Sequence, residues 1–121
     1  MTTALLTHSA CLGHETPPRH PESADRLRAV LGALQVDEFL PLLRQDAPPA
    51  TLEQLASVHP RRFVDGLLRM IPASGFAWLD NDTPVSPGSG VAATHAAGAV
   101  LRSVDMVMQG EADNAFCAIR P

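Results

Sequence analysis

The spacing of apolar residues divides the chain into short strands and amphipathic helices. Ala4 to Thr7 form a short apolar run ahead of a polar stretch, which indicates a first buried strand. From Ala24 onward, Leu27, Val30, Leu31 and Leu34 recur with the i, i+3, i+4, i+7 spacing of one helical face. Pro21-Glu22-Ser23 just before this pattern favours a helix start there.

Two further helices are predicted in the middle of the chain. Thr51 and Gln54 have capping-box spacing, which predicts a short helix carrying Leu52 and Leu55. A second helix is predicted to begin at Pro60, because proline fits the first turn. Its apolar face would consist of Phe63, Val64, Leu67 and Leu68. Pro72 to Gly75 would end it, and Phe76 to Leu79 are predicted to be extended.

The last third of the chain predicts a long helix followed by a strand. Ser89 can cap a helix that runs to about Gln109 and ends at Gly110. Small residues on one flank, Ala92, Ala96 and Ala99, would let a neighbouring backbone approach closely. The apolar run from Asn114 to Ile119 suits a parallel strand buried on both faces. The order of strand, helices and strand predicts one α/β unit, incomplete within residues 1–121.

Composition narrows the class of protein. The 121 residues are 45% hydrophobic, which permits a folded core, but only 4% are aromatic and none is Tyr, so we expect modest stability. A formal charge of -4 argues against nucleic-acid binding. Two cysteines suit free thiols in a reducing cytoplasm, and neither a basic leader nor an apolar run of about 20 residues indicates export or a membrane span. We therefore predict a cytoplasmic protein.

Several polar residues could carry chemistry, each with a plainer alternative. Asp80 and Asp82 could accept hydrogen bonds from a ligand's amides, or could form local side-chain to backbone turns. Cys11, His14 and His20 could form a zinc half-site, but a structural site needs four ligands and no second close pair follows. No G-x-S-x-G, Walker or H-E-x-x-H motif is present to indicate other hydrolases.

Three blocks together resemble a known family. These are CLGHETPPRHPESADRL near the N-terminus, LDNDTPVSPGS running into an alanine-rich helix, and AFCAIRP at the end. In this order they are similar to the N-terminal part of the histone deacetylase family, which includes acetylpolyamine amidohydrolases, from about Thr7 to Pro121. The resemblance implies an α/β, three-layer arginase/deacetylase-like fold with a parallel sheet, of which residues 1–121 would be the incomplete N-terminal portion.

The resemblance also implies an activity and roles for particular residues. The complete enzyme would be a zinc-dependent amidohydrolase that deacetylates acetyl-lysine or acetylpolyamines. Asp82 matches the aspartate at the channel rim that holds the substrate backbone, and Arg26 matches an arginine of the internal channel. His14 and His20 would lie in an entrance loop.

The family's reaction centre has no counterpart in these 121 residues. The run resembling AFCAIRP continues in the family into a Pro-Gly-His-His segment with the catalytic histidines, and the zinc ligands follow later. We therefore expect no catalytic residue, no bound zinc and no deacetylase activity in the chain by itself. The alternative is a non-catalytic binding or assembly module that pairs with a complementary chain or self-associates through an exposed sheet edge.

Overall fold

The computed structural model describes residues 1–120, which form strands and helices in alternation. The strands within these residues are β1 (Thr3–Thr7), β2 (Leu43–Asp46), β3 (Ala77–Asp80), β4 (Thr83–Val85) and β5 (Asn114–Ala118). The α-helices are α1 (Ala24–Ala33), α2 (Leu52–Ala56), α3 (Arg61–Arg69) and α4 (Ser89–Met108). Short 3-10 helices lie at Ser9–Gly13 and Asp37–Phe39.

A parallel sheet in the order β2-β1-β5 forms the centre of the structure. The central strand β1 alternates its side chains between two cores, as a strand with a period of two must. Leu6 packs on one face with Ala99 and Met106 of α4. Leu5 packs on the other face with Cys11 and with Leu27 of α1. Helical segments therefore cover both faces of a parallel sheet, which makes three layers.

The sheet confirms two predicted strands and corrects two expectations. β1 and β5 lie where the apolar runs predict them, and they pair in parallel. β2 was not predicted, because its sequence LRQD has no apolar run. The expectation that β5 is buried on both faces is wrong for this chain, since Phe116 is 51% exposed. β5 pairs with β1 on one side, and no strand within residues 1–120 pairs with its other side.

The predicted helices form, with corrections at the starts of α3 and α4. Pro60, predicted in the first turn of α3, is its N-cap residue, and Arg61 is the first helical residue. Ser23 caps α1, and the capping box of Thr51 and Gln54 at α2 is complete. The Gly110 backbone adopts the left-handed conformation (φ 76°) just after α4, as a helix terminator does. Ser89, however, is the first helical residue rather than the cap, which is Gly88. The Ser89 hydroxyl is engaged elsewhere, in contacts described below.

The Pro48–Ala50 segment lies directly against the backbone of α4 at Gly98. A Cβ atom at this position would lie 1.8 Å from the Pro48 carbonyl oxygen, so only glycine fits. The Ala50 amide donates to the Thr94 carbonyl oxygen (2.9 Å) beside it. Close packing at a small-residue flank was predicted at Ala92, Ala96 and Ala99, and a close backbone approach is found at Gly98, which lies between Ala96 and Ala99.

An antiparallel hairpin of β3 and β4 precedes α4. The extended segment predicted at Phe76 to Leu79 corresponds to β3, whereas β4 was not predicted because it has only three residues, one of them Pro84. The register shifts between Trp78 and Asp80, so the hairpin turn is irregular. Within residues 1–120, no helix has the length and apolar character needed to cross a membrane.

Candidate substrate-binding cavity

One cavity of about 450 Å³ gathers the polar residues that the sequence singles out. Four predicted site residues, His14, His20, Arg26 and Asp82, all line it. They come from the loop before α1, from α1 itself and from the hairpin turn. The remaining lining residues are Pro21, Glu22, Thr83, Pro84 and Arg120.

The hairpin turn presents the Asp82 carboxylate to solvent at the cavity. A side-chain oxygen of Asp80 accepts a hydrogen bond from the Asp82 amide (2.8 Å), which fixes the turn. This bond, with a further one from the Thr83 side chain, holds the pKa of Asp80 below its ordinary value. Asp80 therefore forms the local turn, while the exposed Asp82 side chain is left to a ligand.

His20 connects the loop before α1 to the hairpin turn. Its Nδ1 atom accepts from the Glu22 amide (3.1 Å), and its Nε2 atom lies 3.4 Å from the Asp82 carbonyl oxygen. The preceding Arg19 has a positive φ of 68°, an uncommon conformation that turns the chain here. His20 therefore holds the two sides of the cavity together.

The cavity contains both paired and open charges. Arg120 donates to Glu22 (2.7 Å), so these two charges neutralise each other. Arg26 is exposed on α1, and no ion pair of its side chain is found within residues 1–120. The Arg26 guanidinium and the Asp82 carboxylate are thus the charges open to a ligand.

His14 is held by two buried serines. Its Nδ1 atom lies 2.7 Å from the Ser89 hydroxyl, which also accepts from the Ser86 amide (2.8 Å). The Ser86 hydroxyl accepts from the Glu15 amide (2.9 Å) and lies 3.3 Å from the Gly13 carbonyl oxygen. Neither serine is recognisable as a site residue from the sequence, because Ser-rich turns are common and only the contacts to a distant loop reveal a role.

The residues of the possible zinc half-site are not brought together. Cys11 is buried in the core beneath the sheet, and this burial raises the pKa of its thiol. His14 and His20 line the cavity instead. In the described part of the chain, no three His, Cys, Asp or Glu side chains are grouped so that they could hold a metal ion. The residues present therefore do not fit a zinc site.

A second, apolar cavity of about 360 Å³ adjoins the first. The two share His14, Glu22 and Arg120. Its other walls come mainly from the start of α4 and the end of α3, with Leu67, Ile71, Leu79, Val85, Ser89, Gly90, Ala92, Ala93, Ala96 and Ile119. The polar cavity and the apolar cavity therefore have a common wall, and His14 is part of it.

Comparison with known proteins identifies the family. The family model described as "Histone deacetylase domain" matches residues 20–121, and the chain therefore belongs to the histone deacetylase family. The chain is similar to the histone deacetylase-like amidohydrolase of Pseudomonas aeruginosa, with 36% identity over 93% of this chain and 28% of that protein. It is also similar to a probable deacetylase of Archaeoglobus fulgidus, with 32% identity over 100% of this chain and 34% of that protein.

A solved structure confirms the predicted fold class. The crystal structure of the HDA15 HD domain superposes with a TM-score of 0.90 at 28% identity, over 99% of this chain and 35% of that one. The predicted α/β arginase/deacetylase fold with a parallel sheet is thereby confirmed. The chain spans about a third of the length of these relatives.

Proposed function

We propose that this chain forms the substrate-binding wall of a zinc-dependent amidohydrolase that deacetylates acetyl-lysine or acetylpolyamines. The observation that carries the proposal is the cavity of about 450 Å³, in which Asp82, Arg26, His14 and His20 converge from separate segments. Membership of the histone deacetylase family supplies the acetylated substrate class.

Asp82 is proposed to hold the substrate and to take no part in bond breaking. Its carboxylate is exposed at the turn that Asp80 fixes, where it can accept hydrogen bonds from the backbone amides of an acylated lysine or from an ammonium group. Holding the amine end in this way orients the acyl arm, which contributes to near-attack geometry. Arg26, as an open cation of the same cavity, is proposed to attract the acetate product.

The chain by itself is proposed to lack deacetylase turnover. In the family, zinc polarises the acyl carbonyl and activates water when bound. Residues 1–120 contain no group of three side chains suited to hold a metal ion, so the zinc ligands would come from other parts of a complete deacetylase. The residues of this chain would then bind and orient the substrate, and would exclude water from one side of it.

The binding role of Asp82 can be tested with a small acyl-amine probe. Isothermal titration with N-acetyl-lysine methylamide would compare Asp82→Asn with Asp105→Asn, which makes the same charge change at an exposed position of α4 outside the cavity. Loss of a hydrogen bond to a charged group costs about 1.5 to 3 kcal/mol, so we expect about tenfold weaker binding or more in Asp82→Asn only. Equal affinity in both variants would refute the role.

A second candidate function is an assembly module that pairs with a complementary chain. Large apolar side chains of α4 and β5 are exposed, including Val104 (55%), Met108 (80%) and Phe116 (51%). Large exposed apolar side chains beside an open strand edge are typical of an interaction site. The proposed partner is the remainder of a deacetylase domain, because the matched relatives are about three times longer than the chain.

A further inference from the structure

The contacts around Ser89 determine which nitrogen of His14 carries the proton. His14 Nδ1, the two serine hydroxyls and the Gly13 carbonyl oxygen form a chain of contacts of 2.7, 3.3 and 3.3 Å. Two backbone amides also enter this chain, from Ser86 to the Ser89 hydroxyl and from Glu15 to the Ser86 hydroxyl. Each serine hydroxyl has one proton to donate and two lone pairs to accept with.

The donors and acceptors in this chain allow one fully satisfied arrangement. The Gly13 carbonyl oxygen can only accept, so the Ser86 proton points to it. The contact between the serines is then made by the Ser89 proton, which leaves Ser89 only lone pairs for His14. His14 Nδ1 must therefore donate. In the opposite arrangement, with Ser89 donating to His14, one of the two 3.3 Å contacts has no proton.

The surroundings keep this arrangement in place. Ser86 and Ser89 are buried, with 1% and 6% exposure. A Cβ atom at Gly88, which lies between them, would be 2.2 Å from the Gly13 carbonyl oxygen, so the β4–α4 turn presses directly against the loop that carries His14. Buried and fully satisfied polar networks hold their members in one geometry.

We propose that Ser89 is a positioning residue that presents the Nε2 lone pair of neutral His14 to the cavity, as a hydrogen-bond acceptor for an N–H group of the substrate. His14 lines both cavities, and no bond from Nε2 is found within residues 1–120. With the Asp82 carboxylate, the cavity then offers two open acceptors, which suits an amide or ammonium donor. The substrate class rests on the proposed function, whereas the choice of nitrogen rests on the contacts alone.

Other histidines of the chain provide internal controls. Nδ1 of His8 and Nδ1 of His20 accept from the Ala10 and Glu22 amides (3.0 and 3.1 Å), so their neutral rings carry the proton on Nε2. Nδ1 of His95 lies 2.9 Å from the Val91 carbonyl oxygen and must donate, as proposed for His14. One spectrum should therefore show two of these four histidines in each tautomer, beside the signal of His59, the fifth histidine.

The experiment is a long-range proton–nitrogen NMR spectrum of the 15N-labelled 121-residue chain, at a pH where the imidazoles are neutral. We expect His14 to have its proton on Nδ1. Ser89→Ala should turn His14 into a mixture of tautomers, and Ser89→Thr, which keeps the hydroxyl, should restore the Nδ1–H form. A predominantly Nε2–H ring in the unsubstituted chain would overturn the proposal.

A second variant covers the case in which Ser89→Ala does not fold. Ser86→Ala removes the hydroxyl that takes the Ser89 proton, so Ser89 becomes free to donate to Nδ1. His14 should then shift towards the Nε2–H form while keeping its contact with Ser89. An unchanged Nδ1–H ring in Ser86→Ala would contradict the proton arrangement.

Titration with N-acetyl-lysine methylamide separates this proposal from the proposed function. We expect the His14 Nε2 signal and the Asp82 amide to shift together. A shift at Asp82 with none at His14 would overturn the role of His14 and leave the proposed function standing. No shift at either residue would overturn the contact with His14 and would also count against the proposed function.

Discussion

The two halves of α4 are both rich in apolar residues, yet in the second half every large apolar side chain except Met106 is exposed. The first half, Ser89–Ala99, contains mostly Ala and Gly, and it packs against the loop at Gly13 and the Pro48–Ala50 segment while lining the cavities. The second half, Val100–Met108, carries larger apolar side chains, and Val100, Val104 and Met108 are 49%, 55% and 80% exposed.

The two halves of α4 differ in the size of their apolar side chains, and this difference decides which half packs closely against other segments. Small side chains let backbones and polar loops approach closely, so the first half of α4 packs against neighbouring loops and lines the candidate site. Large exposed apolar side chains are costly in water and are typical of surfaces that make contacts with other segments or chains. The first half of α4 therefore lines the candidate site, whereas the exposed apolar side chains of α4 and β5 are the proposed contacts of a partner.

Among these predictions, the largest loss of stability is expected for a substitution at Gly98, in the first half of α4. A methyl group there meets the Pro48 carbonyl oxygen at 1.8 Å, and backbone on both sides must shift. We expect Gly98→Ala to lower the free energy of unfolding by about 3 kcal/mol or more. Gly66→Ala is the matched control in α3, where a Cβ meets nothing within 4 Å. It should stabilise the chain by up to about 1 kcal/mol in the same urea titration. Equal effects would contradict the packing described here.

Charged substitutions at exposed apolar residues of α4 and β5 should weaken self-association and leave the core intact. Val104→Glu with Phe116→Glu replaces two exposed apolar side chains, one on α4 and one on β5, by carboxylates. We expect the unsubstituted chain to self-associate in sedimentation equilibrium, and the double variant to do so at least about tenfold more weakly. Val58→Glu adds a charge at a 79% exposed position outside this surface and should change little. An unsubstituted chain that sediments as a monomer at all concentrations would argue against the assembly role.

The conformation of the hairpin turn at the cavity should depend on pH through the protonation of Asp80. Its pKa is lower in the folded chain than in the unfolded chain, so its stabilising effect is present above about pH 4 and is lost as pH falls through the folded value. We expect the NMR shift of the Asp82 amide to follow this titration. Asp80→Asn should abolish it, whereas Asp105→Asn should not. A pH-independent Asp82 amide in the unsubstituted chain would refute the turn's role.

The smallest effect is expected at the ion pair that closes the end of α4. Arg102 binds Glu111 through two parallel hydrogen bonds (3.1 and 2.6 Å), which raise the pKa of Arg102 and lower the pKa of Glu111. Both side chains are partly exposed, so screening by water and salt limits the gain. Glu111→Gln should shift the unfolding midpoint slightly at low salt and not at high salt. A large, salt-independent loss would show that the pair does more than close the helix end.

The sequence predicted elements where periodicity or capping was clear. The face at Leu27 to Leu34, the capping box at Thr51 and the apolar runs of β1 and β5 all correspond to the structure. β2 was missed because an edge strand of sequence LRQD has no apolar pattern, and pairing with β1 decides its conformation.

The candidate site was only partly predictable for a similar reason. Family resemblance identified Asp82, Arg26, His14 and His20, and the cavity brings them together. Ser86 and Ser89 were not identified as site residues, because their partners lie about 75 residues away in sequence. The pairing of Glu22 with Arg120 was missed too, since 98 residues separate them. Such contacts arise only when the fold closes.

The most direct test of this account is an amide NMR titration of the chain with N-acetyl-lysine methylamide in the presence of zinc, with free acetate followed in the same sample. We expect amide shifts around Asp82, Thr83 and His14, rather than only in β5 or the second half of α4, and no release of acetate. Shifts restricted to β5 and the second half of α4, or acetate release that a chelator stops, would contradict it.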